Sequence, residues 1–263
     1  MQPKISIITV TMNHLHLLTK MLDSLYKQYP PHVSFELIIV DNCSTDQTKD
    51  FIQKYYPQVN YIENTKIAGF AENNNKGVTY AKGEYILILN PDIIIQPNSI
   101  DLLYLYLSKN EQIGIVAPQL LNTDFSIQYS MRKFISPSIL FARIFTRGND
   151  QSGNSKVKEY LMSEISFSEP TQVDWCLGAA LLFRKSFYLQ LKGFDENFFL
   201  YVEDMDICHR CWELGKQVVY FPESKMIHAH QRSSTKLNKK TLMHVRSMFY
   251  FFWKNRFSIK RSV

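Results

Sequence analysis

Four short runs of β-branched and aliphatic residues, at 4–11, 35–40, 59–62 and 85–89, divide the N-terminal third of the chain. They lack the strict alternation of a half-exposed strand. They read as strands buried on both faces, which is the signature of a parallel sheet. Between the first two, Leu15, Leu18, Met21, Leu22 and Leu25 recur at helical spacing. A second helix is expected after Ser44-Thr45-Asp46-Gln47, which fits a capping box, and should run to about Tyr55. A third is expected over 70–81, closed by Gly83. A fifth strand is predicted at 113–117. Strand and helix in this alternation imply an α/β fold, a mostly parallel central sheet with helices on both faces. The 263 residues suffice for one large domain of that kind.

Ligands of such sheets sit at the carboxyl ends of the strands. Thr11-Met12-Asn13, Asp41-Asn42 and Asn90-Pro91-Asp92 each follow a predicted strand directly, so all three are expected to line one crevice. At such a position Asp41 can accept from a base imide, and Asn42 can bind ribose or phosphate. Both also suit a turn or a helix cap. Asp92 suits a hard divalent cation bridging phosphates, and Asn90-Pro91-Asp92 equally suits an Asx-Pro turn.

The second half is less periodic. Residues 122–170 are the least readable part, and within them 143–158, with Gly148 and Gly153 among Asn and Ser, read as a mobile loop or lid. Residues 173–184 read as a strand interrupted by Gly178, and 186–191 as a short helix. A helix is expected over 204–214, closed by Gly215, followed by short strands at 218–221 and 226–228. The run Phe198-Phe199-Leu200-Tyr201-Val202 delivers Glu203, Asp204 and Asp206 to the start of that helix. Acids there complement the helix dipole. Three of them behind an aromatic wall exceed what capping needs, and a carboxylate in such surroundings has a raised pKa suited to a general base. His228 and His230 close the last strand as candidate metal ligands.

The net charge of +6 favours polyanions, whether nucleic acid, anionic lipid or phosphorylated small molecules. The surplus collects in 236–261, whereas the acids cluster around 195–206. Carboxylates at the expected crevice argue against a nucleic-acid-binding protein, the main rival of another class. A nucleotidyltransferase would need a Gly-rich basic loop after the first strand, and Thr11-Met12-Asn13-His14 is not one. A non-catalytic scaffold would not need Asp92, Glu203 and Asp204. Cys43, Cys176, Cys208 and Cys211 show no disulfide framework, and Met1 leads almost at once into a strand, so a cytoplasmic setting is expected. Cys208 and Cys211 have zinc-ligand spacing, but on a helix they read as packing residues. In the C-terminal segment Leu242, Val245, Met248, Phe249, Phe252 and Trp253 form an apolar helical face among Lys and Arg. It suits either a terminal helix packed on the core or a peripheral contact with anionic lipid.

Taken in order, five stretches resemble the family 2 inverting glycosyltransferases of GT-A fold. They are residues 6–13, 40–46, 69–77 and 89–92, and then 173–180 continued by 193–196 and 199–206. The likeness is greatest to bacterial rhamnosyltransferases of O-antigen, capsule and cell-wall polysaccharide assembly. It implies a Rossmann-like nucleotide-sugar half at 1–121 and an acceptor and catalytic half at 122–235, together one domain, with a basic amphipathic helix at 236–263. Thr11, Asn13 and Asp41 would hold the nucleoside, and Asn42 and Asn90 would lie with them. Gly69 to Gly77 would face the donor, with Asn74 or Asn75 near the diphosphate. Asp92 would be the acid of the family's D-x-D motif, whose first acid is here Asn90. His228 would join Asp92 on Mg²⁺ or Mn²⁺. Asp204, beside Glu203, matches the catalytic base, and Trp175 and Gly178 would shape the sugar and acceptor pocket. The resemblance points to dTDP-L-rhamnose as donor, with UDP-hexoses next, and to a glycan or polyprenyl-diphosphate-linked acceptor.

Overall fold

The computed structural model describes residues 2–165, 167–229 and 239–255. Strands β1 (Ile5–Thr11), β2 (Phe35–Asp41), β3 (Asn60–Glu63) and β4 (Tyr85–Leu89) alternate with helices α1 (Leu15–Asp23), α2 (Thr48–Tyr55) and α3 (Phe70–Thr79). β1 lies between β2 and β4 with all three parallel, Ile7 opposite both Leu37 and Leu87. Alternate residues serve opposite cores, as a sheet covered on both faces requires. Ile8, Ile38 and Ile86 pack with Ala71 and Val78 of α3. Ile7, Leu37 and Leu87 pack with Leu18, Met21 and Leu22 of α1.

The sheet continues through β5 (Ile93–Ile95), helix α4 (Ser99–Lys109) and β6 (Ile113–Leu121). After it come β7 (Met131–Arg132), α5 (Pro137–Phe145), α6 (Ser155–Tyr160), β8 (Thr171–Gln172) and β9 (Trp175–Cys176). Last are β10 (Ala180–Arg184), α7 (Lys185–Gln190), α8 (Glu203–Glu213), β11 (Gln217–His228) and α9 (Lys239–Lys254). The strand order is β3-β2-β1-β4-β10-β6-β11-β5, with β8 on β11 and a separate β7-β9 ribbon. β10 is antiparallel to both neighbours, and β5 is antiparallel to β11.

Several expectations change. Residues 173–184 are not one interrupted strand, because β9 joins the small ribbon and β10 the main sheet. The segment 143–158, expected as a loop, holds the end of α5 and most of α6, and β7 precedes them in the part with no readable pattern. α4 and β5 had no counterpart in the sequence pattern, although Ile100, Leu103 and Leu107 bury one face of α4. The capping box does not form: Asp46 Oδ1 bonds Thr48 while its Oδ2 accepts from Leu15 N at 3.2 Å. Gly83 does not close α3, which ends at Thr79. Cys208 and Cys211 are fully buried in α8, burial pushes both thiols up, and no metal-holding His/Cys/Asp/Glu cluster occurs among the described residues.

α9 packs through one face on α8 and on the segment that leads into it. Phe251 is fully buried, Ser247 Oγ donates to Leu200 O at 3.0 Å, and Lys254 Nζ reaches Asp195 at 2.7 Å and Asp206 at 2.6 Å. No helix among the described residues is long and apolar enough to cross a membrane.

Gly83 marks a close backbone approach. A Cβ there would lie 2.6 Å from Ser6 N and 2.8 Å from Ile5 C, neither of which can yield without moving β1. Gly83→Ala should lower the unfolding free energy by about 1–3 kcal/mol, the usual cost of overpacking. Urea denaturation measures it, and an unchanged midpoint would contradict the crowding.

Candidate active site

Because β1, β2 and β4 are parallel, their carboxyl ends share one edge of the sheet. Asp41 lies opposite Thr11, and Asn42 N donates to Thr11 O at 2.8 Å. The loops that follow are sewn together. Asn13 Oδ1 accepts from Thr45 N at 2.7 Å and Asp46 N at 3.2 Å, and Asn13 N donates to Ser44 Oγ at 2.9 Å. Asp41 accepts from Ser44 N at 2.7 Å and from the Tyr61 hydroxyl. Burial first, and that bond second, hold the Tyr61 phenol well above its usual range. Thr11 is buried beneath this wall, and its Oγ1 has no hydrogen-bond partner among the described residues.

Several amides expected to meet the donor are occupied elsewhere. Asn42 clasps Ala68, accepting from its N–H at 2.8 Å and donating to its carbonyl at 3.0 Å. Asn74 is buried and donates to Phe70 O at 2.8 Å. Asn75 uses its whole carboxamide: it donates to Phe194 O and Glu196 Oε1, and accepts from Tyr188 OH and Phe194 N. A Cβ on Gly69 would sit 2.7 Å from Phe199 O, so that glycine admits the neighbouring backbone. Asn13, Asn42 and Asn75 therefore hold loops in place, Asn74 bonds within its own helix, and Gly69 leaves room for the backbone at Phe199.

Asn90-Pro91-Asp92 does form a turn, closed by Ile93 N donating to Asn90 O at 3.2 Å. It also presents a carboxylate. β5 pairs with β11 so that Ile93 faces His228, and Asp92 Oδ2 comes within 3.4 Å of His228 Nε2. His228 Nδ1 lies 2.7 Å from Gln128 Oε1, an acceptor, so Nδ1 carries the proton. Nε2 is then the ring atom that meets the carboxylate. An imidazole oriented by an outer carbonyl beside a carboxylate fits a divalent metal. Gln128 was invisible in the sequence, since nothing local ties it to a histidine so far along the chain. His230 lies outside the described residues.

The acidic segment reaches the same region over a strained turn. Tyr201 and Val202 have φ of 69° and 74°, and a β-branched residue there is a genuine outlier. The turn throws Glu203 and Asp204 onto the first turn of α8. Asp204 Oδ2 accepts from Gly178 N at 3.0 Å, and a Cβ on Gly178 would lie 3.1 Å from Asp204 Cβ. Glycine thus permits the approach. Both acids line a cavity of ≈ 290 Å³ with Gln128, Arg132, Tyr160 and Trp175. Trp175 is 7% exposed and donates from Nε1 to Lys133 O at 3.0 Å, so it forms a fixed wall. Arg132 is 9% exposed and pairs with no carboxylate among the described residues; its guanidinium stacks 5.5 Å from the Tyr160 ring.

The two acids differ. Burial, reinforced by the Asp204 charge, pushes Glu203 well above the usual carboxyl range, and its Oε2 has no hydrogen-bond partner among the described residues. Burial also raises Asp204, but the N–H groups of Gly178 and Met205 oppose the rise. Burial thus holds Glu203 without a compensating bond to its Oε2, whereas two N–H groups make Asp204 the readier of the two to ionise. Such a split assigns acid and base roles in paired carboxyls.

A raised acid stabilises the folded state below its unfolded pKa of about 4.3, and that contribution is lost as pH rises through the folded value. Glu203→Gln should therefore be more stable than the parent at neutral pH, and the difference should shrink toward pH ~4. Urea unfolding across that range measures it. A difference independent of pH would mean that Glu203 is not a buried neutral acid.

The family model described as glycosyl transferase family 2 matches residues 6–187. The chain is 29% identical to the rhamnosyltransferase WbbL of Escherichia coli (strain K12), over 97% of this chain and 95% of that protein. It is 29% identical to the N-acetylglucosaminyl-diphospho-decaprenol L-rhamnosyltransferase of Mycobacterium tuberculosis, over 76% of this chain and 67% of that one. Among solved structures, the mannosyltransferase PcManGT of Pyrobaculum calidifontis with GDP-Man and Mn²⁺ superposes with a TM-score of 0.66 at 17% identity. That match covers 99% of this chain and 66% of the other. The fold is the GT-A arrangement, and the chain belongs to glycosyl transferase family 2, as a glycosyltransferase.

Proposed function

We propose that the chain transfers L-rhamnose from dTDP-L-rhamnose, with inversion, to a hydroxyl of a glycan or polyprenyl-diphosphate-linked acceptor in cell-surface polysaccharide synthesis. One observation carries the chemistry: Asp204 shares a cavity with Gln128, the residue that orients His228 against Asp92. The names of the two rhamnosyltransferase relatives support the sugar, and one of them names a polyprenyl-diphosphate acceptor. In this reading residues 1–235 form one catalytic domain, with 1–121 holding the nucleotide-sugar and 122–235 the acceptor. Residues 236–263 follow it and touch the membrane that carries the acceptor.

Asp204 accepts the proton of the acceptor hydroxyl, with the Gly178 N–H fixing the carboxylate. The acceptor oxygen bonds to the anomeric carbon as the bond from that carbon to the diphosphate breaks. The nucleoside diphosphate leaves from the opposite face, and the configuration inverts. Asp41 and the loops tied by Asn13 receive the nucleoside. Asp92 and His228 would hold Mg²⁺ or Mn²⁺, which supplies Lewis-acid neutralisation of the diphosphate. Arg132 adds positive charge to the cavity wall, and Trp175 keeps water from the reacting atoms.

Asp204→Asn should lower turnover by about 10²–10⁴ while donor affinity, read by calorimetry, stays near the parent value. Parent-like turnover would remove Asp204 as the base. Because burial raises Asp204, the acid limb of the rate profile should lie above the ordinary aspartate range of about 3.9. Asp92→Ala should abolish both activity and the response to added metal. The deciding assay is nucleotide release from a panel of dTDP- and UDP-sugars, with and without a lipid-linked N-acetylglucosamine acceptor. Acceptor-stimulated release from dTDP-L-rhamnose alone is expected. Release only from a UDP-hexose would reassign the sugar.

A further inference from the structure

α9 has an outer face that folding does not use. Leu242 is 72% exposed, Val245 46%, Phe249 72% and Trp253 74%. These four lie three or four residues apart, so they form one stripe opposite the packed Ser247 and Phe251. α5 repeats the arrangement. It buries Ile139 and Ala142, and leaves Phe141 73%, Ile144 68% and Phe145 78% exposed. Single exposed apolar residues are ordinary, but contiguous rows of large ones mark a surface that something covers.

Two further features identify the cover. The two helices contain no Asp or Glu. The cations Arg143 and Lys254 are neutralised by Asp150 and by Asp195 and Asp206, whereas Arg147 and Arg246 stand exposed at the rims. The sequence adds Lys239 and Lys240 at the start of α9. Apolar stripes with cations and no acids match an anionic bilayer surface. They do not match a second copy of the chain, because a two-fold contact would set the same basic rim against itself. Second, both helices border the cavity that holds Asp204: α5 contributes Arg143, and α9 contributes His244 and Met248.

We propose that α5 and α9 form a two-helix platform that seats the molecule on an anionic bilayer, with the Asp204 cavity opening between them toward the membrane plane. An acceptor anchored by its lipid then reaches the base without leaving the bilayer. This benefit rests on the transferase reading, but the platform itself does not.

The test is flotation of the full chain with phosphatidylcholine vesicles containing about 30% phosphatidylglycerol, against vesicles lacking it. Trp253 is an intrinsic reporter, since Trp175 and Trp212 are only 7% and 6% exposed. The expected result is salt-sensitive flotation on anionic vesicles, with a blue shift of tryptophan emission and quenching by brominated lipid. The double variants Phe249→Glu/Trp253→Glu on α9 and Phe141→Glu/Phe145→Glu on α5 should each lower partitioning at least about tenfold. Both should keep the parent's rate on a short-chain, water-soluble acceptor. Absence of flotation by the unaltered chain overturns the proposal, as does unaltered partitioning of the α5 variant. A dimer in sedimentation that the same variants dissociate would assign the face to a second copy and also overturn it. Flotation without nucleotide release from any donor would sink the transferase reading and leave the platform standing.

Discussion

The antiparallel ladder between β4 and β10 is the contact on which the site depends. Ala180 pairs with Leu89, and one step beyond, Asn90 N donates to Ala179 O at 2.9 Å. Past that bond the two strands part. One leads within two residues to Asp92, and the other comes from Gly178, whose N–H holds Asp204. A metal-binding candidate and a base candidate that lie far apart in sequence are thus neighbours because one reversed strand sits between β4 and β6. A one-residue slip would turn every side chain of β10 to the opposite face.

Around that ladder, polar side chains divide their labour. The carboxamides of Asn13, Asn42 and Asn75 saturate loop backbones, so the walls of the crevice need no ligand to stand. Three charged features gather at the crevice instead: the Asp92–His228 pair, the buried Glu203, and Arg132, whose guanidinium donates to the Tyr129 and Met131 carbonyls. Ionisable groups perturbed by burial and gathered in one cleft are the mark of a candidate functional site.

The parallel half was legible because burial on both faces leaves an unmistakable apolar run, and the end of α8 was legible at Gly215, whose φ of 69° only glycine adopts easily. The carboxylates were legible for a similar reason: acids behind aromatic residues are rarely neutral features of a surface. The amides were not. Asn at a strand end serves a ligand or a loop equally well, and only the three-dimensional partner decides. Gln128 left no local trace. α4 escaped notice because its buried positions sit among Tyr and Leu residues on every side, which blurs the period. Whether 173–184 is one strand or two depends on Asp204 approaching Gly178, a tertiary event that residue types do not announce.

Lys254 gives the C-terminal helix a second meaning. Its ammonium spans Asp195, before the strained turn, and Asp206, in the first turn of α8 two residues from Asp204. The family match ends at residue 187, yet the carboxylate pair and this brace all lie beyond it. The family model therefore stops short of the mechanical unit, whereas the similarity to WbbL runs over 97% of the chain. α9 works as a tie-beam across the strained turn, and a force applied to its outer face is borne by the same helix that carries the base candidate.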